Sequence, residues 1–511
     1  MAFVSETAAP STLSEDAPRR NGPLRWVLAC VIASAVLLWL GTGLAPVPWL
    51  TWLAPLPVVA MSSHVRARTA ASAAFVAWLA GSLNMWTYFH SDLQMPATVV
   101  AAFLVTQALV FVGVVTLFRA LVVRGRILTA VLCAPAAWSG TEYLLSLVSP
   151  GGTFASLAYT QAEVLPVVQL TAVTGIWGIS FLLMAAPILM AALLAPGTAR
   201  QGGPRLRVAA VAVSLAALTL GYGTWHLWTP DAGQPLTIGL IDVRQSEDSL
   251  PVASPEARRV LDIYLRELPA LAAAGAQIAV LPEKVLKASP ADLVELERQL
   301  TRAAADNQMT IVVGVTVKDT ASVRNAALAY AAGSVVRYEK QHLVSGWEDH
   351  MTPGATLTLL PATTAGLAIC KDMDHPQLVR SYHGHGADLL LVPALDVDRD
   401  GWLHSRIAVV RGIENGVVVA RAAGHGRLTA SDASGRILTD IATGGTDVTA
   451  ATVTVRPDRG ATLYSQLGDW FAWLCLALTA VAVSLRFGTR RKNRPAAHPE
   501  SGTNLSQSAV G

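Results

Sequence analysis

The chain has 511 residues, 52% of them hydrophobic and only 14% charged, with a mean hydropathy of +0.44. Soluble globular chains carry roughly a quarter charged residues, so this composition excludes an ordinary soluble protein and points to a membrane protein. A net charge of +3, with no long Lys/Arg stripe interleaved with aromatics, excludes a nucleic-acid-binding protein.

Residues 1–24 are rich in Ser, Pro, Ala and charge and are expected to form a disordered tail. Glu6, Glu15 and Asp16, without an apolar core, exclude a cleavable signal peptide there. A bilayer core about 30 Å thick needs roughly 20 apolar residues per helix. Segments of that kind run over 25–41, 44–61, 70–89, 97–118, 127–147, 168–195 and 208–226, a bundle of about seven spans over 25–226. The 44–61 segment holds four prolines; it is expected to span, with a re-entrant or interfacial piece as the alternative. Glu142, at the end of the fifth span, is either an intramembrane functional carboxylate or a solvated interfacial one. Trp26, Trp49, Trp52, Trp470 and Trp473 sit near span ends, as an interfacial belt requires.

The charges between spans orient the bundle. Arg19, Arg20 and Arg25 precede the first span; Arg66 and Arg68, then Arg119, Arg124 and Arg126, then Arg200, Arg205 and Arg207 fill every second loop. The alternate loops, 42–43, 90–96 and 148–167, contain no Lys or Arg. By the positive-inside rule both termini are cytoplasmic and the block over 230–465 is extracytoplasmic. A last span at 468–487 is followed by a basic tail, 488–511, also expected to be disordered.

Between 236 and 456 strand and helix signals alternate. Leu236–Val243 and Gln277–Leu281 read as short strands, and Val260, Leu261, Tyr264, Leu265 and Leu268 form a stripe at helical spacing between them. Ser289-Pro290 starts a helix, with Ser at the cap and Pro in the first turn. Strands are expected at 310–318, 324–332, 334–339, 356–361 and 364–370, then a helix near 375–384, a strand at 387–393 and a helix at 402–415. Strands at 416–422, 427–432, 436–441 and 447–455 complete a two-sheet α/β layer structure.

Cys30, Cys133 and Cys475 fall in expected spans, which leaves Cys370 alone in the outer domain. A lone cysteine there is a reactive thiol or an inert buried one. Three polar residues follow strand-like runs: Glu283, Lys340 and Cys370. In open α/β sheets ligands gather at the carboxyl ends of strands, so three such ends can meet at one crevice. The chemistry is coherent: a carboxylate takes the thiol proton, an ammonium stabilises an oxyanion and a thiolate attacks an acyl carbon.

L-P-E at 281–283, Y-x-K-x-H-L-V at 338–344, C-x-D at 370–372 and R-G-I-E-N-G-V-V-V-A-R-A-A-G at 411–424 resemble the signature of the nitrilase, or carbon–nitrogen hydrolase, superfamily. P-A-A-W-S-G-T-E at 135–142 and Q-L-T-A-V-T-G-I-W-G-I-S-F-L at 169–182 resemble one branch of it, the apolipoprotein N-acyltransferases. The resemblance implies a multi-span α-helical membrane domain plus an α/β nitrilase-like domain, an αββα sandwich, on the periplasmic face of a bacterial cytoplasmic membrane. It implies Cys370 as nucleophile, Glu283 as general base and Lys340 as oxyanion stabiliser, with Glu348 and Asp372 supporting the site. It further implies a phospholipid acyl donor, a diacylated lipoprotein acceptor and no cofactor.

The chain departs from that pattern at three places. Lys371 stands where the family has an aromatic residue. Ser345-Gly346-Trp347 replaces Pro-Phe-Gly ahead of Glu348, and Gly151-Gly152-Thr153-Phe154 lacks the family's tryptophan. These positions are expected to shape the substrate pocket. Lys371 either lowers the Cys370 pKa or projects into solvent, and Trp347 is a candidate lid or membrane-touching residue. The competing readings are a membrane-bound amidase, an acyltransferase with another acceptor, and a non-catalytic scaffold. Asp372, Asp374, His375, His383 and His385 lie close in sequence, but without H-E-x-x-H spacing no metal site is expected.

Overall fold

The computed structural model describes residues 24–195, 202–230, 232–245, 248–331 and 333–487. The two expected tails, apart from Leu24, lie outside the described residues, as do Arg200 and the arginines beyond 487.

The first part is helical: α1 (Leu24–Gly41), α2 (Pro48–Leu53), α3 (Leu56–Ser62), α4 (Ala67–Ser82), α5 (Ala97–Val123), α6 (Ile127–Val148), α7 (Leu165–Val168), α8 (Thr171–Thr174), α9 (Ile176–Leu194) and α10 (Gly202–Trp228). Among the described residues four stretches are long and apolar enough to cross a membrane: Leu24–Gly41, Ala97–Val123, Ile176–Leu194 and Gly203–Trp228. The expected span over 44–61 is instead the pair α2–α3. Pro48 opens α2, while Pro55 and Pro57 lack the amide hydrogens that would continue it. The broken backbone packs against α1 and α9, with Val58, Val59 and Met61 of α3 buried and Trp49 and Leu53 of α2 exposed. The expected helix over 168–195 is also broken, at Gly175 (φ +64), where a Cβ would lie 2.6 Å from the Tyr464 ring.

The second part is an α/β sandwich. One sheet has the order β13-β1-β3-β5-β4-β2, built from β1 (Leu236–Val243), β2 (Leu250–Pro251), β3 (Ile278–Val280), β4 (Leu286–Ala288), β5 (Thr310–Lys318) and β13 (Val448–Val455). To it β6 (Val323–Ala331) and β7 (Ser334–Glu339) add an antiparallel meander on β5. The other sheet has the order β12-β11-β10-β9-β8, from β8 (Ala365–Leu367), β9 (Leu389–Leu395), β10 (Val418–Gly424), β11 (Arg427–Ser431) and β12 (Ile437–Ala442). Alternation along β1 divides its side chains: Ile238 and Leu240 join the core between the sheets, and Ile241 and Val243 face the outer helices. Those helices are α11 (Pro255–Ala273) and α12 (Pro290–Asp306), the latter started by a capping box between Ser289 and Asp292. On the far side lie α13 (Pro376–Gly384) and α14 (Gly401–Asn415); α15 (Leu463–Leu467) and α16 (Trp470–Phe487) then return the chain to the helical bundle.

The layers are therefore αββα. α14 is buried on two faces: Ala408 joins the core around the five-stranded sheet, whereas Leu403, Ile407, Val410 and Ile413 join the core of the helical bundle. Each large apolar side chain buried this way contributes about 1.5–3 kcal/mol, so α14 is the apolar weld between the two parts. The segment expected as a strand at 356–361 is not one. Leu359 makes only an isolated bridge to Gly366, and the Thr358 amide donates to Tyr382 Oη instead of a ladder. β2 and β4, of two and three residues, are too short to leave a periodic signal in the sequence.

Candidate active site

Three chain segments deliver side chains to one end of the sandwich. Glu283 follows β3 and its amide donates to Ala394 O of β9 at 3.1 Å, which stitches the two sheets together beneath it. Gly314 of β5 makes that turn possible, since a Cβ there would stand 2.3 Å from Glu283 Cα. Lys340 directly follows β7, and its amide bonds Asn325 O at 2.9 Å. Cys370 lies three residues beyond β8, as the first residue of a short 3-10 turn over Cys370–Asp374.

Lys340 Nζ sits 2.8 Å from Glu283 Oε1 and 2.8 Å from Glu348 Oε2. Asn325 Nδ2 donates to the same two carboxylates, at 2.5 Å to Glu283 Oε1 and 2.8 Å to Glu348 Oε1. Lys284 Nζ reaches Glu348 Oε1 at 3.2 Å, and the Val344 amide donates to Glu348 Oε2 at 2.9 Å. Glu283, Lys340, Glu348 and Asn325 are all buried. Two ammonium groups thus balance two carboxylates in a site with little water, where such pairing decides protonation. Burial lowers the Lys340 pKa, but the charges of Glu283 and Glu348 outweigh it and hold the ammonium above its ordinary range. Burial raises the Glu348 pKa, and Lys340 and Lys284 outweigh it in the other direction.

Cys370 has φ +41, a left-handed conformation that a β-carbon disfavours and that surrounding structure must impose. Its thiol is buried and donates to Leu395 O at 3.5 Å. Burial pushes the thiol pKa well up, the Glu283 charge adds to this, and Lys340 opposes it. Glu283 and Leu395 also line a crevice of about 20 Å³, walled on its other side by Asp242, Asp248 and His425.

Asp372 does not enter this crevice. Its Oδ2 accepts from Tyr338 Oη at 2.7 Å and the Ile369 amide at 3.0 Å, and its Oδ1 from the Gln341 and His342 amides at 3.2 and 2.9 Å. It buckles the cysteine turn to the loop after Lys340. Trp347 also stands apart: its Nε1 donates to Leu93 O of the helical bundle at 3.2 Å, with the ring still exposed. Lys371 neither projects into solvent nor turns to the thiol. It is paired with Asp374 at 2.5 Å and lies 5.2 Å from the Phe154 ring centroid.

On the other side of the cysteine turn, between the helices and the sandwich, lies a cavity of about 450 Å³, within the usual range for organic ligands. Phe89, Leu93, Val99, Phe103 and Leu145 supply apolar wall, and Val344, Ser345 and Lys371 close it on the sandwich side.

Residues 34–189 match the family model described as apolipoprotein N-acyltransferase N-terminal domain, and residues 248–456 match the carbon–nitrogen hydrolase model. An apolipoprotein N-acyltransferase of Geobacter metallireducens is 27% identical over 92% of this chain and 96% of its own. One of Gloeobacter violaceus is 27% identical over 92% and 95%. Over most of its length the chain is similar to the apolipoprotein N-acyltransferases. It shares the family's two parts, a helical bundle and a nitrilase-like αββα sandwich, and with its apolar helices and bacterial relatives it is a bacterial membrane protein. Among solved structures, an amidase from Nesterenkonia sp. is 18% identical over 47% of this chain and 95% of its own, with a TM-score of 0.38.

Within the family's pattern, sequence reasoning did not single out Asn325, Lys284 or the Asp396–Arg421 pair. Arg421 binds Asp396 through two hydrogen bonds, at 2.9 and 2.5 Å, in the layer beneath Cys370. Asn325 had a usable signal, a lone amide entering the apolar run Ala326–Tyr330 of β6. Lys284 had none, since nothing distinguishes it from other lysines beside a strand end.

Proposed function

We propose that this protein transfers a fatty acyl chain from a membrane phospholipid, through a thioester on Cys370, to the α-amine of a diacylglyceryl-cysteine at the N-terminus of a lipoprotein. The observation that carries the reading is the pairing of Glu283 with Lys340 beside Cys370, whose thiol both charges act on, one residue away from Lys371 at the wall of a large apolar cavity at the bundle. The raised thiol needs a base, and of the two carboxylates whose charge acts on it Glu283 acts the more strongly, while Asp396 is bound by Arg421. Glu283 takes the Cys370 proton as sulfur attacks the ester carbonyl. The Lys340 ammonium stabilises the oxyanion, and Glu348 holds that ammonium in place. The carbon–oxygen bond breaks, the glycerol oxygen leaves with the proton from Glu283, and the acyl group stays on sulfur. The acceptor amine then attacks the thioester, gives a proton back through Glu283 and leaves an amide and a free thiol.

Both substrates are bilayer-anchored, which accounts for a hydrolase-like sandwich mounted on membrane helices. The same reading places both termini in the cytoplasm, the bundle over 25–226, the sandwich over 230–465 outside, and a final span over 468–487.

Intact-mass analysis of the protein and of Cys370→Ala, with phospholipid and a diacylated lipopeptide, tests it. The expected result is an acyl adduct that requires Cys370, is labile to hydroxylamine, and vanishes as the lipopeptide gains an N-acyl chain. An adduct never passed to the lipopeptide would assign another acceptor. No adduct with any phospholipid would overturn the thioester mechanism.

A further inference from the structure

Lys371 follows the nucleophile directly, yet its ammonium is on the other side of the turn. It binds Asp374 Oδ2, packs near the face of Phe154 and lines the cavity of about 450 Å³. Among the residues that line this cavity Lys371 is the one cation and Glu142 the one acid. Glu142 is on α6, where its Oε1 accepts from the Leu157 amide at 3.3 Å. Asp374 occupies one of the ammonium's three donor hydrogens. The carboxylate is itself shared: its other oxygen lies 4.0 Å from His404 Nδ1. An apolar cavity with a single ammonium at its edge complements an anionic amphiphile, and lysine serves phosphate as a compact point charge.

A second observation points the same way. The three places where the sequence departs from its family's pattern all lie on this cavity: Lys371, Ser345, and Gly151-Gly152-Thr153-Phe154. An aromatic residue gives way to a cation at Lys371, a proline to a hydroxyl at Ser345, and the 151–154 stretch lacks the tryptophan. These changes alter one wall and leave Glu283, Lys340 and Cys370 in place.

We infer that Lys371 binds the phosphodiester of the acyl donor and makes this enzyme prefer net-anionic glycerophospholipids to zwitterionic ones; the inference rests on the acyl-transfer reading of the neighbouring cysteine. A headgroup that carries its own ammonium would bring like charge to Lys371, and the nearest carboxylate, Asp374, is already engaged. A headgroup without that ammonium brings no like charge to Lys371. Lys371 acts on binding, and the bond-making atoms are on the other side of the turn.

The test uses the full-length Cys370→Ala protein in detergent, mixed with equal amounts of phosphatidylglycerol and phosphatidylethanolamine of identical chains, with native mass spectrometry counting the retained lipid. Phosphatidylglycerol should be enriched about fivefold or more, about the discrimination that one avoided like-charge contact near water provides. Lys371→Gln, which keeps a hydrogen bond to Asp374 without the charge, should bring the ratio to about one, and Lys371→Arg should keep it. In the Cys370 enzyme, Lys371→Gln should raise the KM for phosphatidylglycerol about tenfold and that for phosphatidylethanolamine far less, with the loss on KM rather than kcat. A ratio near one before any change at Lys371, or a ratio that Lys371→Gln leaves intact, overturns the inference. An equal loss with both lipids would overturn it too, by assigning Lys371 a structural role through Asp374. If the lipid ratio behaves as stated but no donor ever acylates Cys370, the acyl-transfer reading fails while the lipid site stands.

Discussion

The crevice at Cys370 and the cavity at the bundle lie on two sides of one turn and are built by opposite means. The site beside Cys370 is a knot of charges that hold one another, Glu283, Lys340, Glu348, Lys284 and the amide of Asn325, and Glu283 also lines a crevice of about 20 Å³. The cavity, about 450 Å³, is mostly hydrocarbon wall with a cation at its rim. Charges fixed in a dry site cost no reorganisation when a carbonyl develops charge, which is what bond making needs. Apolar area gives affinity without direction, which is what holding a lipid chain needs. The turn over 370–374 divides its residues between the two tasks. Cys370 goes to the crevice, Lys371 to the cavity and Asp372 to the 341–342 loop. Asp374 binds Lys371 through its carboxylate and Thr153 through its carbonyl. Chemistry and recognition are therefore separable by substitution, and the experiments below either sharpen that separation or break it.

The largest effect is expected from Lys340→Met. It leaves the Glu283 and Glu348 carboxylates facing each other in a buried site with only Lys284, on the Glu348 side, to compensate. Removing one partner of a buried pair costs about 3–5 kcal/mol, and acyl transfer should be lost together with that stability. Thermal unfolding of the purified variant reads the first and the adduct assay the second. A stability change below about 1 kcal/mol would mean that the crevice charges are not coupled as their distances imply.

Glu283→Gln should act in two directions at once. Burial and the negative charge of Glu283 both raise the Cys370 pKa. Taking the charge away therefore lowers that pKa, and the rise of alkylation rate with pH should shift to lower pH. Acyl transfer should meanwhile fall about 10²–10⁴-fold, because the proton acceptor is gone. Alkylation by iodoacetamide across pH, set beside thioester formation by the same samples, separates a base from a merely structural carboxylate. A residue needed only for packing would depress both rates together.

How much of this could be read from the sequence follows the same division. The sandwich was legible because its strands alternate and its helices carry caps: β1, β5 and β7 lie where the pattern puts them, and Ser289-Pro290 opens α12. The three strand-end residues were legible one by one, but their meeting depends on β3, β7 and β8 belonging to two sheets packed face to face, which no local spacing encodes. Lys371 was misread in both of its sequence-based alternatives. Its direction is set by the left-handed Cys370 and by Asp374, and backbone sign at a single residue leaves no trace in composition. The cavity was invisible for a related reason, since its walls come from α5, α6, the 148–156 loop and the 344–345 loop, which are far apart in the chain.

The smallest effect belongs to Trp347, which lies between the two regions. Ser345 on one side of it lines the cavity and Glu348 on the other holds Lys340. The indole's hydrogen bond to Leu93 O is the one polar tie from this loop to that cavity wall among the described contacts. A partly exposed hydrogen bond of this kind is worth about 0.5–1.5 kcal/mol, so Trp347→Ala should raise the donor KM about two- to tenfold and leave kcat nearly as it was. Trp347→Phe keeps the ring and removes the donor. If it matches Trp347→Ala, the hydrogen bond closes the loop over the cavity; if it matches the unaltered enzyme, the ring's contact with lipid is what counts. A fall in kcat in either variant would tie the loop to Glu348 and the chemistry, and the separation between the two regions would then fail at this residue.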